Sequence, residues 1–93
     1  MIRSFRHRGL RRLYETGGAK GLPAESITKL ENMLGVIDQA ETVAEIGIFP
    51  GWRMHRLKGE FQGFWSLTVT GNWRLIFRFE GGDAFDLDFV DYH

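Results

Sequence analysis

The stretch FWSLTVTGNWRLIFRFEGGDAFDLDFV, residues 64–90, decides the fold. It reads as three strands in a row. Trp65, Leu67 and Val69 alternate with Ser66 and Thr68. Trp73, Leu75, Phe77 and Phe79 alternate with Arg74 and Arg78, and Phe85, Leu87 and Phe89 with Asp86 and Asp88. Successive side chains on a strand point to opposite faces, so each segment has an apolar face and a polar one. Gly71-Asn72 and Gly81-Gly82 mark the turns. Because the apolar residues are odd-numbered throughout, directly opposed residues must have numbers that sum to an even value. That favours three-residue loops such as Gly81-Gly82-Asp83. This register sets Phe79 opposite Phe85, Arg78 opposite Asp86 as an ion pair, and Arg74 opposite Val90, diagonal to Asp88 and Tyr92.

Working back toward the N-terminus, the period changes. Residues 24–40 carry Ile27, Leu30, Met33, Leu34 and Ile37 at spacings of three and four, the stripe of an amphipathic helix. Pro23 suits its first turn. Gly35 inside it costs about 1 kcal/mol relative to alanine and leaves room for a close neighbour. Before it, Leu10, Leu13 and Tyr14 predict a shorter helix ended by Gly17-Gly18. MIRSF, residues 1–5, reads as a short first strand. The expected architecture is α+β, a small antiparallel-rich sheet with an N-terminal helical hairpin packed on its aromatic face. Residues 1–93 are expected to form one domain, with a core covering about two-thirds of the unfolded surface.

Composition narrows the function classes. Apolar residues make up 43% and aromatics 14%, too apolar for a disordered chain. The absence of cysteine excludes a disulfide framework and a thiolate nucleophile, and fits a reducing compartment such as the cytoplasm. No apolar run predicts a membrane span, and MIRSFRHRGLRR lacks the apolar core of a secretory signal. The formal net charge is zero, yet residues 1–12 hold five arginines and no acid, while residues 80–93 hold five acids and no Lys or Arg. Head and tail could neutralise each other, or the basic head could offer a face to nucleic acid or to an acidic partner.

Between the halves, GIFPGWRMHRLKGEFQG, residues 47–63, reads as loop plus a short edge strand. Its aromatics, with Phe64, are core plugs or base-stacking surfaces. Two sets of groups offer chemistry: His55 with Lys58, and Asp91, Tyr92 and His93 at the end of the sequence. A lone histidine is more often packed or solvated than catalytic. One reading groups His55, Asp91 and His93 on zinc or iron, but no closed motif spacing supports it and Arg56 and Lys58 crowd one ligand. RNA cleavage asks for a different set. The ribose 2′-oxygen already lies beside the phosphate, so a general base and a general acid suffice, with fixed cations for the phosphoryl charge. Imidazoles can take both proton roles near neutral pH. Arg74 and Lys58 could form the cationic clamp, and Tyr92 could stack on a base. No cofactor and no metal are expected.

The segments MIRSFRHRGLRRLYETG (1–17), GLPAESITKLENMLGVIDQA (21–40) and MHRLKGEFQGFWSLTVTGNWRLIFRFEGGDAFDLDFVDYH (54–93) resemble the HigB branch of the RelE/ParE toxin superfamily. HRLKG (55–59), FWSLTVTGNWRLIF (64–77) and the final DYH (91–93) are the most specific parts. Arg56 departs from the pattern, standing where relatives often carry proline. The resemblance implies a RelE-like microbial RNase-type fold and a type II toxin that enters the A site of the 70S ribosome and cuts mRNA. It implies catalytic roles for His55, Lys58, Arg74, Asp91, Tyr92 and His93; beside these, the arginines Arg6, Arg8, Arg11, Arg12, Arg53, Arg56 and Arg78 are the expected RNA or ribosome contacts, on their charge. The implied partner is a helix-turn-helix antitoxin of the HigA-like kind, with operator DNA reached only through the antitoxin complex. An extension beyond His93 is expected to lie in the active site. The superfamily also holds ParE-type gyrase poisons, and a non-catalytic RNA- or antitoxin-binding module is the other alternative.

Overall fold

A computed structural model describes residues 1–91; Tyr92 and His93 lie outside the described residues. Helix α1 spans Arg8–Thr16, α2 Ile27–Gln39 and the single turn α3 Val43–Ile46. Strands follow at β1 His55–Arg56, β2 Trp65–Thr68, β3 Trp73–Glu80 and β4 Asp83–Asp91. They form one sheet in the order β1-β2-β3-β4, with every pair antiparallel. No helix among the described residues is long and apolar enough to cross a membrane.

Each helix forms where its pattern places it. The His7 ring caps α1, its Nδ1 accepting from the Leu10 N–H at 3.2 Å, and Gly17 ends it in the left-handed conformation at φ 77°. Leu10 and Leu13 turn inward, and Leu30, Met33, Leu34 and Ile37 of α2 are buried with them. Pro23 stands just before a 3₁₀ turn, Ala24–Ser26, that leads into α2. Together the helices cover the sheet face carrying Leu67, Leu75, Phe77 and Leu87, all fully buried. Gly35 is exposed, and a Cβ built there would meet nothing within 4 Å, so the close neighbour expected at this position is absent.

The expected register holds in one hairpin and breaks in the other. Between β2 and β3, Leu67 lies opposite Leu75 and Thr68 opposite Arg74, closed by the three residues 70–72. Between β3 and β4, Arg74 lies opposite Val90, also as expected. Below that point Arg78 pairs with Phe85 and Phe79 with Ala84, closed by the two-residue turn Gly81-Gly82. Both glycines have positive φ, 57° and 85°, the requirement of the tight hairpin turn whose twist matches its strands. A two-residue turn gives odd sums, so one extra residue must intervene before the upper register is restored. Asp86 and Leu87 lie against the single residue Phe77 as a bulge, with Asp86 left-handed at φ 56°. The bulge moves Phe85 off the apolar face and brings Ala84 into the core. Arg78 still reaches Asp86, Nε to Oδ2 at 3.0 Å, but from a diagonal position.

The bulge also explains why MIRSF is not a regular strand. This segment runs parallel to β4 and makes only two isolated bridges, Ile2 to Ala84 and Phe5 to Leu87. Between them the Asp86 N–H turns to the Ser4 hydroxyl at 2.9 Å instead of continuing a ladder. The Asp38 carboxylate anchors the same segment by accepting the Ile2 N–H at 2.9 Å. Head and tail do neutralise at this edge: Asp83 takes both the N-terminal ammonium at 3.4 Å and Arg3 at 3.1 Å.

Candidate active site

The second face of the sheet carries Ser66, Thr68, Arg74, Ile76 and Val90, and no helix among the described residues covers it. The chain from Leu57 to Phe64 folds over one side of this face. Leu57 N–H donates to the Phe64 carbonyl at 2.9 Å, extending the β1–β2 pairing by one step. A 3₁₀ turn, Gly59–Phe61, follows directly after Lys58. The result is a groove in two connected hollows. One, of about 580 Å³, is lined by Arg53, His55, Leu57, Ser66, Thr68, Gly71 and Arg74. The other, of about 460 Å³, is lined by Leu57, Lys58, Phe61, Ser66, Arg74, Ile76, Val90 and Asp91. Leu57, Ser66 and Arg74 belong to both.

His55 enters this groove from the edge strand, opposite Ser66. Its Nδ1 lies 3.1 Å from the Arg53 carbonyl oxygen. A carbonyl can only accept, so a hydrogen bond here is donated by Nδ1, an arrangement that in the neutral tautomer would leave the lone pair on Nε2. The carbonyl reaches His55 because Arg53 is itself left-handed, at φ 48° and ψ 49° after the turn Pro50–Trp52. A non-glycine residue in that region is strained, and such strain recurs where geometry serves a site. Arg74 is fixed just as firmly. Its Nη1 donates to the carbonyls of Thr70, Gly71 and Trp73, at 2.9, 3.1 and 3.1 Å. The β2–β3 loop thus acts as a bracket for the guanidinium. Lys58 is exposed at the rim, and Asp91 closes the groove at the end of β4.

Four of the six expected catalytic residues therefore meet at one groove: His55, Lys58, Arg74 and Asp91. The other two, Tyr92 and His93, follow Asp91 in sequence and lie outside the described residues. The expected RNA contacts separate into groups. Arg53 lines the groove. Arg56 pairs with Trp65 and lies over its ring at 5.1 Å, on the side of the strand opposite His55. Arg6 lies over the Phe64 ring at 5.0 Å, at the lower end of the groove face. Arg78 is committed to Asp86 and Glu80, at 3.0 and 3.1 Å. Arg8, Arg11 and Arg12 sit on α1, which packs against the opposite face. Arg11 lies 3.8 Å from Glu15, and Arg12 donates to the Lys20 carbonyl. Among the described residues no group of three or more His, Asp or Glu could hold a metal ion; the His55–Asp91–His93 set includes one residue outside that range.

Sequence reading missed Leu57, Ser66 and the strained Arg53 carbonyl. Nothing local marks them, since they become site residues only when the loop returns over the sheet. Of the aromatics left open as plugs or stacking surfaces, Phe64 is buried and Trp52 packs against the core, stacked on Phe49 at 4.3 Å. Phe61 lines the groove.

A family described as RelE-like toxin of type II toxin–antitoxin system HigB matches residues 3–93. The chain is similar to an endoribonuclease HigB from Proteus vulgaris, 42% identical over 93 residues, with all of both chains covered. It is 31% identical over 94 residues to toxin HigB-1 from Vibrio cholerae serotype O1, covering all of this chain and 98% of that one. In fold it is similar to YafQ from E. coli strain BL21(DE3), with a TM-score of 0.58 at 13% identity, over 98% of this chain and 91% of the other.

Proposed function

Because the chain belongs to the HigB-like family of RelE-like toxins from type II toxin–antitoxin systems, we propose that it is an endoribonuclease that cuts messenger RNA in the ribosomal A site and so arrests translation and growth. Endoribonuclease is the name borne by its relative at 42% identity. The observation that carries the finer reading is the meeting of His55, Lys58, Arg74 and Asp91 at one open groove on the helix-free face of the sheet.

The reaction these groups suit is attack by the ribose 2′-oxygen on the neighbouring phosphorus. A general base removes the 2′ proton, the new O–P bond forms, and the 5′-oxygen leaves with a proton from a general acid. The products are a 2′,3′-cyclic phosphate and a 5′-hydroxyl. Imidazole serves both roles, one being His55 through Nε2 and the other His93, which the family pattern supplies. Arg74, pinned to its loop, and Lys58 at the rim meet the negative charge that grows on the phosphoryl oxygens. A cation that need not reorganise is worth most at that moment. Asp91 orients its neighbours electrostatically, and Tyr92 offers a ring to a base.

A type II toxin is held in check by its antitoxin. The partner proposed here is a helix-turn-helix protein of the HigA-like kind, through which the complex reaches operator DNA. The 70S ribosome supplies the message in an extended, single-stranded form. The test is to map transcript 5′ ends after brief induction. Cuts within translated regions, in frame and lost with a translation-blocked reporter, are the expected result. Intact transcripts accompanied by double-strand DNA breaks would overturn it in favour of gyrase poisoning.

A further inference from the structure

We propose that Arg53 is a positioning residue: its left-handed main chain holds the His55 ring so that Nδ1 keeps a proton and Nε2 is the nitrogen that exchanges one with RNA. This rests on the RNA-cleavage reading above and names what sets the orientation of its histidine.

The conformation at Arg53 is unusual for its residue type. Among the described residues, the other positive φ values belong to six glycines and to Asp86. Arginine has no short polar side chain to bond locally, so it enters this region at a cost. Its neighbours hold it there. Trp52 and Met54, on either side, both pack against the core. Trp52 stacks on Phe49 with centroids 4.3 Å apart. Gly47 leaves the space that the Met54 methyl fills, since a Cβ built there would lie 2.6 Å from it. The Arg53 N–H donates to the Pro50 carbonyl at 3.3 Å and closes the turn. A strained residue persists where its surroundings over-determine it. Glycine would relieve the strain, but it would remove the guanidinium that lines the hollow and loosen the carbonyl that meets His55.

The consequence falls on the imidazole. A neutral ring has one donor nitrogen and one acceptor nitrogen, so the carbonyl contact at 3.1 Å selects the form with the proton on Nδ1. His7 makes the opposite choice. Its Nδ1 accepts from the Leu10 N–H, so in the neutral ring the proton sits on Nε2. The two histidines are thereby expected in opposite tautomers within one small chain. The choice at His7 serves a helix cap. The choice at His55 commits Nδ1 to the main chain and leaves Nε2 to the RNA, on a ring that lines the same hollow as Arg74. Nε2 can then take a proton as a base or return it as an acid without the ring having to turn.

The experiment takes two readouts on the unaltered chain, Arg53→Asn and Arg53→Val. NMR of the histidine ring nitrogens, at a pH where the rings are neutral, reports which nitrogen carries the proton, and His55→Gln assigns the His55 signals. Transcript 5′ ends after brief induction report cutting. Both substitutions lose the guanidinium, so a difference between them reports the main chain. Asparagine accepts the left-handed region, whereas β-branched valine does not. His55 is expected to carry its proton on Nδ1 in the unaltered chain and in Arg53→Asn, opposite to His7, and to lose that preference in Arg53→Val. Cutting by Arg53→Val should fall about 10–100-fold below cutting by Arg53→Asn, in a chain whose circular dichroism stays native. If Arg53→Val fails to fold, the tautomer in the unaltered chain and in Arg53→Asn decides. A neutral His55 protonated on Nε2, or equal cutting by the two folded variants, would overturn the positioning role while leaving cleavage itself standing. Absence of cuts by the unaltered chain would remove the cleavage reading and the positioning role with it.

Discussion

The two faces of the sheet are made from the same strands but obey different rules. On one face Leu67, Leu75, Phe77 and Leu87 are sealed beneath α1 and α2 with no exposure. On the other, Thr68, Arg74 and Val90 stay half-exposed under a single loop, and the charged groups gather there. Period-two alternation produces both at once: each residue given to the core places its neighbour in the groove. The core face provides stability and the groove face spends some of it, in the left-handed Arg53. A mutation should therefore act on folding or on chemistry according to the parity of its position.

The strongest way to break this division is at Phe77. Truncation to alanine at a fully buried aromatic costs about 3–5 kcal/mol, a large share of the roughly 5–15 kcal/mol available to a small domain. Urea denaturation of Phe77→Ala should show a transition shifted far toward low denaturant, with activity lost only because the chain unfolds. Its neighbour across the division, Arg74→Ala, should behave in the opposite way. Cutting should fall by about 100–1,000-fold while the denaturation midpoint moves little. Arg74→Lys keeps the charge, but an ammonium held by the loop carbonyls has no second nitrogen to offer a phosphate as the guanidinium does, so it should recover only part of the activity. A large loss of stability in Arg74→Ala would mean that its bonds to Thr70, Gly71 and Trp73 hold the hairpin together, and the two faces would not be separable there.

The next test lies where the alternation itself slips. The strands, the core parity above the bulge, the helical stripes and the candidate groups were all legible in the sequence, because each depends on local periodicity or on residue chemistry. The bulge was not. Gly81-Gly82 favours a two-residue turn, and that turn conflicts with the odd-numbered core on both strands. The conflict needs one extra residue, but nothing in DAFDLDF says where, because aspartate takes the left-handed conformation without glycine's signature. The groove lining at Leu57 and Ser66 was hidden for a related reason: it is a contact between segments, not a pattern within one. Asp86→Ala should cost about 1–3 kcal/mol, through backbone strain and loss of the carboxylate's bonds from Arg78 and from the Ser4 hydroxyl, while the Asp86 N–H keeps its bond to Ser4. Asp86→Asn keeps both the tolerance for φ 56° and a hydrogen-bonding oxygen, so it should cost clearly less. Equal costs in urea unfolding would show that charge alone matters at the bulge.

The smallest effect concerns Tyr14, on the helix side and far from the chemistry. Its hydroxyl donates to Asp38 Oδ1 at 2.8 Å, the same oxygen that accepts the Ile2 N–H at 2.9 Å. That hydrogen bond to Asp38 is the main reason the Tyr14 pKa is raised above its ordinary 10, with partial burial and the Asp38 charge adding to it. A raised value means that the folded state favours the protonated phenol. The contribution is therefore complete below pH 10 and fades as pH climbs through the raised value. Tyr14→Phe removes one partly solvated hydrogen bond and should lower stability at neutral pH by about 0.5–1 kcal/mol. The gap between the two proteins should then close on the alkaline side, where the phenolate and Asp38 repel each other and the hydroxyl no longer helps. Urea midpoints measured from neutral pH to beyond the phenol's ordinary range give the comparison directly, because the other titrating groups are common to both chains. A gap that stays constant across that range would mean that the Tyr14 ring, and not its hydroxyl, fastens the N-terminal segment to α2.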